Sequence, residues 1–200
     1  GDTLTYTIVS GPTNGVLSPA ASFTQAEIDT NAVSYTHDGS ETVSDSFSFS
    51  VSDGNGGSLA TTTFNITVTP TNDNPVLAIN AVLSVAEAAS AIIDSSVLLV
   101  TDADAGETLT YTVVSGPTSG ALSPAASFTQ ADIDANAVSY THDGSETVSD
   151  SFSFSVSDDN GGTVGITTFN ITVTPTNDNP VLAINAGLTV AEAAVALIDS

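Results

Sequence analysis

Four short runs concentrate the oxygen-bearing side chains of this sequence: Asp102-Ala-Asp104-Ala-Gly-Glu107, Asp143-Gly-Ser-Glu146, Asp158-Asp159-Asn160 and Asn177-Asp178-Asn179. An Asp-x-Asp step on an extended chain points both carboxylates to the same side. Calcium takes six to eight oxygens from carboxylates, Asn side chains and main-chain carbonyls, so these runs have the composition of a Ca2+ site. The rest of the chain offers them no other partner. Among 200 residues there are 23 acids, two histidines and no lysine or arginine, for a net charge of −23. Two carboxylates about 4 Å apart repel by roughly 4 kcal/mol at an effective dielectric of about 20. Clustered acids here must stay in water, take up protons or bind metal.

The same balance excludes whole classes of function. Nucleic-acid binding needs Lys and Arg against phosphate, and an anionic membrane surface repels this charge. Cysteine is absent, so no disulfide or thiol chemistry exists. Metal as the substitute staple points to a calcium-rich, extracellular compartment. No signal peptide, lipidation motif or apolar run of 18 residues occurs, so no membrane insertion is expected of this segment. Gly1-Asp2-Thr3 opens in mid-pattern, and any export signal is expected outside it.

Other motifs yield less. His37-Asp38-Gly39-Ser40 holds the residue types of a hydrolase triad, but a triad converges from separate elements on one reacting atom, which four consecutive turn residues do not do. No catalysis is expected. His37 and His142 lack His or Cys partners for zinc and read as turn-holding or surface residues. Asn65-Ile-Thr67 and Asn170-Ile-Thr172 match the N-glycosylation pattern by chance in a Thr-rich chain. Asp53-Gly-Asn-Gly-Gly57 precedes no Lys or helix, so it is no phosphate loop. Asp29, Asp134, Asp45 and Asp150 read as solvated turn and strand-end acids.

What must position the acidic runs is a set of strands. With 40% hydrophobic residues and Val, Ile, Phe, Tyr and Thr in the regular stretches, the chain favours sheet over disorder. Leu83 and Val85 alternate, and Val97 to Val100 form a short apolar run. Leu109, Tyr111 and Val113 alternate with Thr, Ala137 to Tyr140 follow, then Phe152, Phe154 and Val156 with Ser between them. Phe169, Ile171 and Val173 alternate with Asn and Thr. Each run is a half-buried strand. The His-Asp-Gly-Ser and Asp-Asn-Gly-Gly stretches read as turns. One helical turn is predicted at Thr129 to Ile133, capped by Thr129 with Asp132 in its first turn.

Residues 1–95 align without gaps on 106–200, and 80 of the 95 pairs are identical. A period of 105 is one domain per repeat, not a solenoid rung. The linker is Pro70-Thr71-Asn72-Asp73-Asn74-Pro75, repeated at Pro175 to Pro180, where paired prolines bar a central strand. Residues 1–74 are then a domain lacking its first strands, 75–179 a complete domain, and 180–200 the first strand of a third. The cut reads as a window on a longer array. Around seven strands per repeat describe an all-β chain of tandem Greek-key β-sandwiches.

Ala86-Glu87, Asp102-x-Asp104, Val156-Ser157-Asp158 and Asn-Asp-Asn-Pro at the domain end resemble the cadherin-like family, and more closely the chondroitin-sulfate-proteoglycan-type repeats of giant bacterial adhesins. The resemblance covers the whole chain and implies calcium between successive domains. The first junction would take Asn72, Asp73 and Asn74 from the linker and Asp102, Asp104 and Asp158 from the next domain, with Asp38 and Glu41 from the base. The second would take Glu87, Asp143, Glu146, Asn177, Asp178 and Asn179. Pro70 and Pro175 replace the family's usual acid ahead of the linker Asn, and His-Asp-Gly-Ser-Glu replaces its Asp-Arg-Glu step. One or two ions per junction are therefore expected, with Kd of about 10⁻⁴–10⁻³ M.

Three functions follow as expectations. The first is a calcium-stiffened stalk of an adhesin or surface fibre, partnered by neighbouring repeats. The second is a filament subunit, in which residues 180–200 complete 1–74 of an identical chain by strand addition. The third is a carbohydrate- or protein-binding module, disfavoured by the absence of Trp.

Overall fold

A computed structural model describes residues 2–198. The first unit contains β1 (Thr5–Ser10), β2 (Gly15–Ser18), β3 (Ser22–Thr24), the one-turn helix α1 (Gln25–Asp29), β4 (Ser34–His37), β5 (Ser44–Ser52) and β6 (Ser58–Thr67). Its four-stranded sheet runs β3-β1-β5-β6, with β2-β4 as the second layer. The complete domain adds β7 (Val76–Asn80), β8 (Leu83–Ala86), β9 (Ser90–Ile92) and β10 (Leu98–Thr101) ahead of the same series. That series is β11 (Thr110–Ser115), β12 (Gly120–Ser123), β13 (Ser127–Thr129), α2 (Gln130–Asp134), β14 (Ser139–His142), β15 (Ser149–Ser157) and β16 (Thr163–Thr174).

Five strands in the order β13-β11-β15-β16-β8 form one sheet, β12-β14-β9 form a second, and β7 and β10 pair as a two-stranded ribbon. The expected all-β sandwich is therefore the observed architecture. Period two drives it. In β15, Phe152, Phe154 and Val156 point into the core while Ser fills the alternate positions, and Phe169, Ile171 and Val173 do the same from β16. Tyr111 stacks on Phe128 with ring centroids 5.0 Å apart, and Phe152 meets Phe169 at 5.1 Å. Helix α2 stands where the sequence places it. The Thr129 hydroxyl accepts the Asp132 N–H at 3.1 Å, and the Asp132 carboxylate accepts the Thr129 N–H at 2.8 Å. A five-residue helix is marginal alone, and fully buried Ile133 pins this one.

Ten short strands replace the expected seven or so in this domain. The leading segment breaks after Asn80 because β7 pairs with β10 in a ribbon, while β8 runs parallel along β16 at the edge of the five-stranded sheet. Strands β12 and β13 escape sequence reading because runs of four and three residues, with one buried side chain each (Leu122 and Phe128), are too short to show alternation.

Two acids expected in solvent are not there. Asp45 is buried, and its carboxylate accepts main-chain N–H groups from Thr13, Asn14 and Ser46 together with the Tyr35 hydroxyl. Asp150 repeats this with Thr118, Ser119, Ser151 and Tyr140. Burial works against ionisation at both, yet these donors outweigh it and hold both carboxyls below the usual range. Each ties the turn before β2 or β12 to the start of β5 or β15. Asp29 and Asp134 stay exposed, each accepting from a Gln of its own helix.

Candidate metal centre

Domain ends, where strands stop and turns begin, gather the acids into two sets. At the first junction the linker lies on the top of the complete domain. The Asn72 side-chain amide donates to Asp158 Oδ2 at 2.9 Å, and the Asp73 N–H donates to Asp104 Oδ2 at 2.7 Å. Asp158 is fully buried at the β15–β16 turn, where Oδ1 accepts N–H groups from Asn160, Gly161 and Gly162. The Asn72 amide, with those N–H groups, keeps its carboxyl ionised below the ordinary range, against the opposing effect of burial. Gly162 is a fixed requirement. A Cβ there would sit 2.0 Å from Asp158 Oδ2, 2.9 Å from the Asp73 carbonyl oxygen and 3.0 Å from Asn74 Oδ1. Three oxygens thus crowd one small space.

Beside them, carboxylate oxygens of Asp102, Asp104 and Glu107 lie within 4.8 Å of one another. Asp102 Oδ2 and Glu107 Oε2 are buried without a hydrogen-bond partner, while Glu107 Oε1 takes the Asn160 amide. Glu41 reaches this set from the base of the first unit. Burial and the neighbouring Asp104 and Asp73 carboxylates push its carboxyl above the ordinary value.

The second set forms at the other end of the complete domain. Oxygens of Glu87, Glu146 and Asp178 lie within 4.8 Å of one another. Glu87 is buried and accepts the Thr176 N–H at 2.9 Å, which fixes the linker over it. The Glu146 carboxyl is pushed above its ordinary value by the Asp178 carboxyl beside it, by the charges of Glu87 and Asp178, and by burial. Like charges held together without a cation favour a proton on one of them.

The predicted residues thus divide. Asn72, Asp73, Asn74, Asp102, Asp104, Asp158 and Glu41 meet at the first junction, and Glu87, Glu146 and Asp178 at the second. Asp38 and Asp143 are turned away. Each closes a tight turn by accepting the N–H of Ser40 or Ser145. The histidines hold the same turns: His142 is buried, with Nδ1 accepting from Gly144 and Ala88 and Nε2 bonded to Thr147. Asn177 bonds the Asp178 carbonyl through its amide, and Asn179 is exposed. Glu107 was missing from the expected ligands although it ends the Asp102 run. Gly106, at φ +91°, folds the chain back and returns it to Asp102.

The donor chemistry fits a hard cation. Carboxylates predominate, amide and main-chain oxygens adjoin them, two carboxylate oxygens are orphaned, and no basic side chain competes. His and Cys, the ligands of softer metals, are absent from both sets.

Fold and junction geometry together define a tandem β-sandwich repeat with oxygen-rich ends. The cadherin-like family pattern matches residues 1–68 and 75–173, and the chain belongs to that family. It is 36% identical over 188 residues to the extracellular matrix organizing protein FRAS1 of Homo sapiens, covering 88% of this chain and 5% of that protein. FRAS1-related extracellular matrix protein 2 of Homo sapiens is 34% identical over 172 residues, covering 78% and 5%. Chondroitin sulfate proteoglycan 4 of Homo sapiens is 35% identical over 161 residues, covering 74% and 6%. The chain therefore spans about 5% of the length of the first curated relatives it matches. It is an extracellular module, and among the described residues no helix is long and apolar enough to cross a membrane.

Proposed function

We propose that these repeats are non-catalytic spacers in the stalk of a surface adhesin or fibre, and that calcium at their junctions turns a flexible string into a rod. The observation that carries this reading is the convergence of base, linker and next-domain carboxylates at the first junction, with Asp102 Oδ2 and Glu107 Oε2 unpartnered. Asp102, Asp104, Glu107, Asp158, Asp73 and Glu41 would hold the ion there, and Glu87, Glu146 and Asp178 at the second junction. Calcium supplies the positive charge the chain lacks. The residues themselves fix the linker through the Asn72–Asp158 and Thr176–Glu87 bonds. A bacterial surface protein is proposed from the resemblance of the repeats; the relatives above are animal matrix and proteoglycan proteins. The engaged ring nitrogens of His37 and His142 support the non-catalytic reading.

Calcium titration with thermal melting tests this. A ligand at ten to a hundred times Kd stabilises the native state by about 1.4–2.7 kcal/mol per site. The melting temperature should rise with calcium, and Glu146→Gln should lose part of that rise. A melting temperature indifferent to calcium and to chelator would remove the metal from the account.

A further inference from the structure

We propose that His142 is a positioning residue for the second acidic set: its buried ring latches the turn that carries Glu87 to the turn that carries Glu146. The role deepens the calcium reading and rests on it for the ion. The two acids come from different loops. Glu87 follows β8, and the chain turns through Ala88 and Ala89 into β9, whereas Glu146 lies between β14 and β15. Main-chain pairing of β9 with β14 ends where the His142 N–H donates to the Ala89 carbonyl at 2.9 Å. Beyond that bond both loops leave the sheet, and the ring takes over.

Nδ1 accepts the Ala88 N–H at 3.3 Å and the Gly144 N–H at 3.2 Å. Nε2 lies 2.9 Å from Thr147 Oγ1, which is itself 3.2 Å from Ser145 Oγ. Glu146 therefore stands between two residues whose hydroxyls converge at one edge of the ring. Ala88, next to Glu87, sits at φ +57°, a left-handed conformation that residues with a Cβ rarely adopt. The loops also touch, since a Cβ on Gly144 would lie 3.6 Å from the Ala88 Cβ. His142 is only 3% exposed, so these bonds are shielded from water.

What the ring holds together is a cluster that opposes its own assembly. Oxygens of Glu87, Glu146 and Asp178 gather within 4.8 Å, and like charges at that spacing repel. The bond from the Thr176 N–H to Glu87 Oε2 fixes the linker that carries Asp178. The ring fixes the loop that carries Glu146. Imidazole suits this place because one nitrogen accepts while the other donates, from separate edges of a rigid ring. Since Nδ1 takes two N–H groups, the proton belongs on Nε2, facing Thr147. A carboxylate there would accept equally well but would add a fourth negative charge. Groups that orient ligating side chains account for about 10- to 100-fold in metal affinity.

Amide hydrogen exchange and calcium titration of the full chain, both followed residue by residue by NMR, test the latch. In chelator the parent should protect the amides of Ala88, Gly144 and Thr176, and His142→Leu should lose all three. Thr176 is bonded to Glu87 and not to the ring, so its loss reports that Glu87 has moved. Loss confined to Ala88 and Gly144 means that the ring holds only its own turns, and overturns the proposal. In calcium, His142→Leu should bind about 10- to 100-fold more weakly at the second set, read at Glu87 and Thr176. Asp158 to Gly162 should report an unchanged first set. Parent-like affinity at the second set overturns the proposal as well. His142→Asn, which keeps an acceptor near the Nδ1 position, should recover Thr176 protection, and recovery no better than with Leu counts against the latch. If His142→Leu does not fold, Thr147→Val decides, because it removes only the partner of Nε2. It should move both readouts in the same direction, and parent values in both overturn the latch. A parent indifferent to calcium at both sets removes the ion, while Thr176 exchange in chelator still judges the latch.

Discussion

A carboxylate in a chain without lysine or arginine has three partners left to it, and two of them are in place in this protein. Asp45, Asp150 and Asp158 take main-chain N–H groups and are depressed; Glu41 and Glu146 meet other acids and are raised. The remaining partner is a cation, proposed at the orphaned oxygens of Asp102 and Glu107. These opposite shifts give a distinctive pH dependence. A raised carboxyl binds more protons folded than unfolded, so stability falls as pH rises through its folded value, above the ordinary glutamate value of about 4.3. A depressed carboxyl contributes stability that is present above about pH 3.9, the ordinary aspartate value, and is lost as pH falls through the folded value. In chelator the melting temperature should therefore rise from neutral toward mildly acidic pH, then drop at stronger acid. Calcium should flatten the neutral side of that curve. Melting scans across pH check it, and a monotonic rise toward neutral pH in chelator would contradict it.

At the scale of elements, the Asp150 clamp joins a turn to a strand start 32 residues away. Replacing it with Ala leaves the N–H groups of Thr118 and Ser119 short of an acceptor, while the Tyr140 hydroxyl keeps the Ser119 carbonyl. Leaving buried donors unmet costs about 1–3 kcal/mol, so Asp150→Ala should lower urea-unfolding stability by about that much without altering calcium response. A change below roughly 0.5 kcal/mol, the scale of neutral surface substitutions, would mean solvent replaces the bonds. This clamp was not legible in the sequence, because its donors are backbone groups that carry no residue identity. The Phe-Ser alternation of β15 was legible, since period two buries one face. Strand β8 was legible as a strand, but its parallel partner β16, about 88 residues on, was not. The first junction's acids could be grouped from the resemblance, whereas Asp38 and Asp143 could not be set aside. An Asx-type turn to Ser40 or Ser145 uses the same residue types as a ligand set.

For the whole molecule, near-identical repeats place the same oxygen-rich ends at every junction, so one charge-neutralising event can act along an array. The central claim is that calcium at these ends fixes the hinge around Pro70 to Pro75. Small-angle scattering of the chain, with calcium and with chelator, tests it. The account predicts one narrow, long distance distribution in calcium and a broader, more compact one in chelator. Superimposable distributions in the two buffers would contradict it.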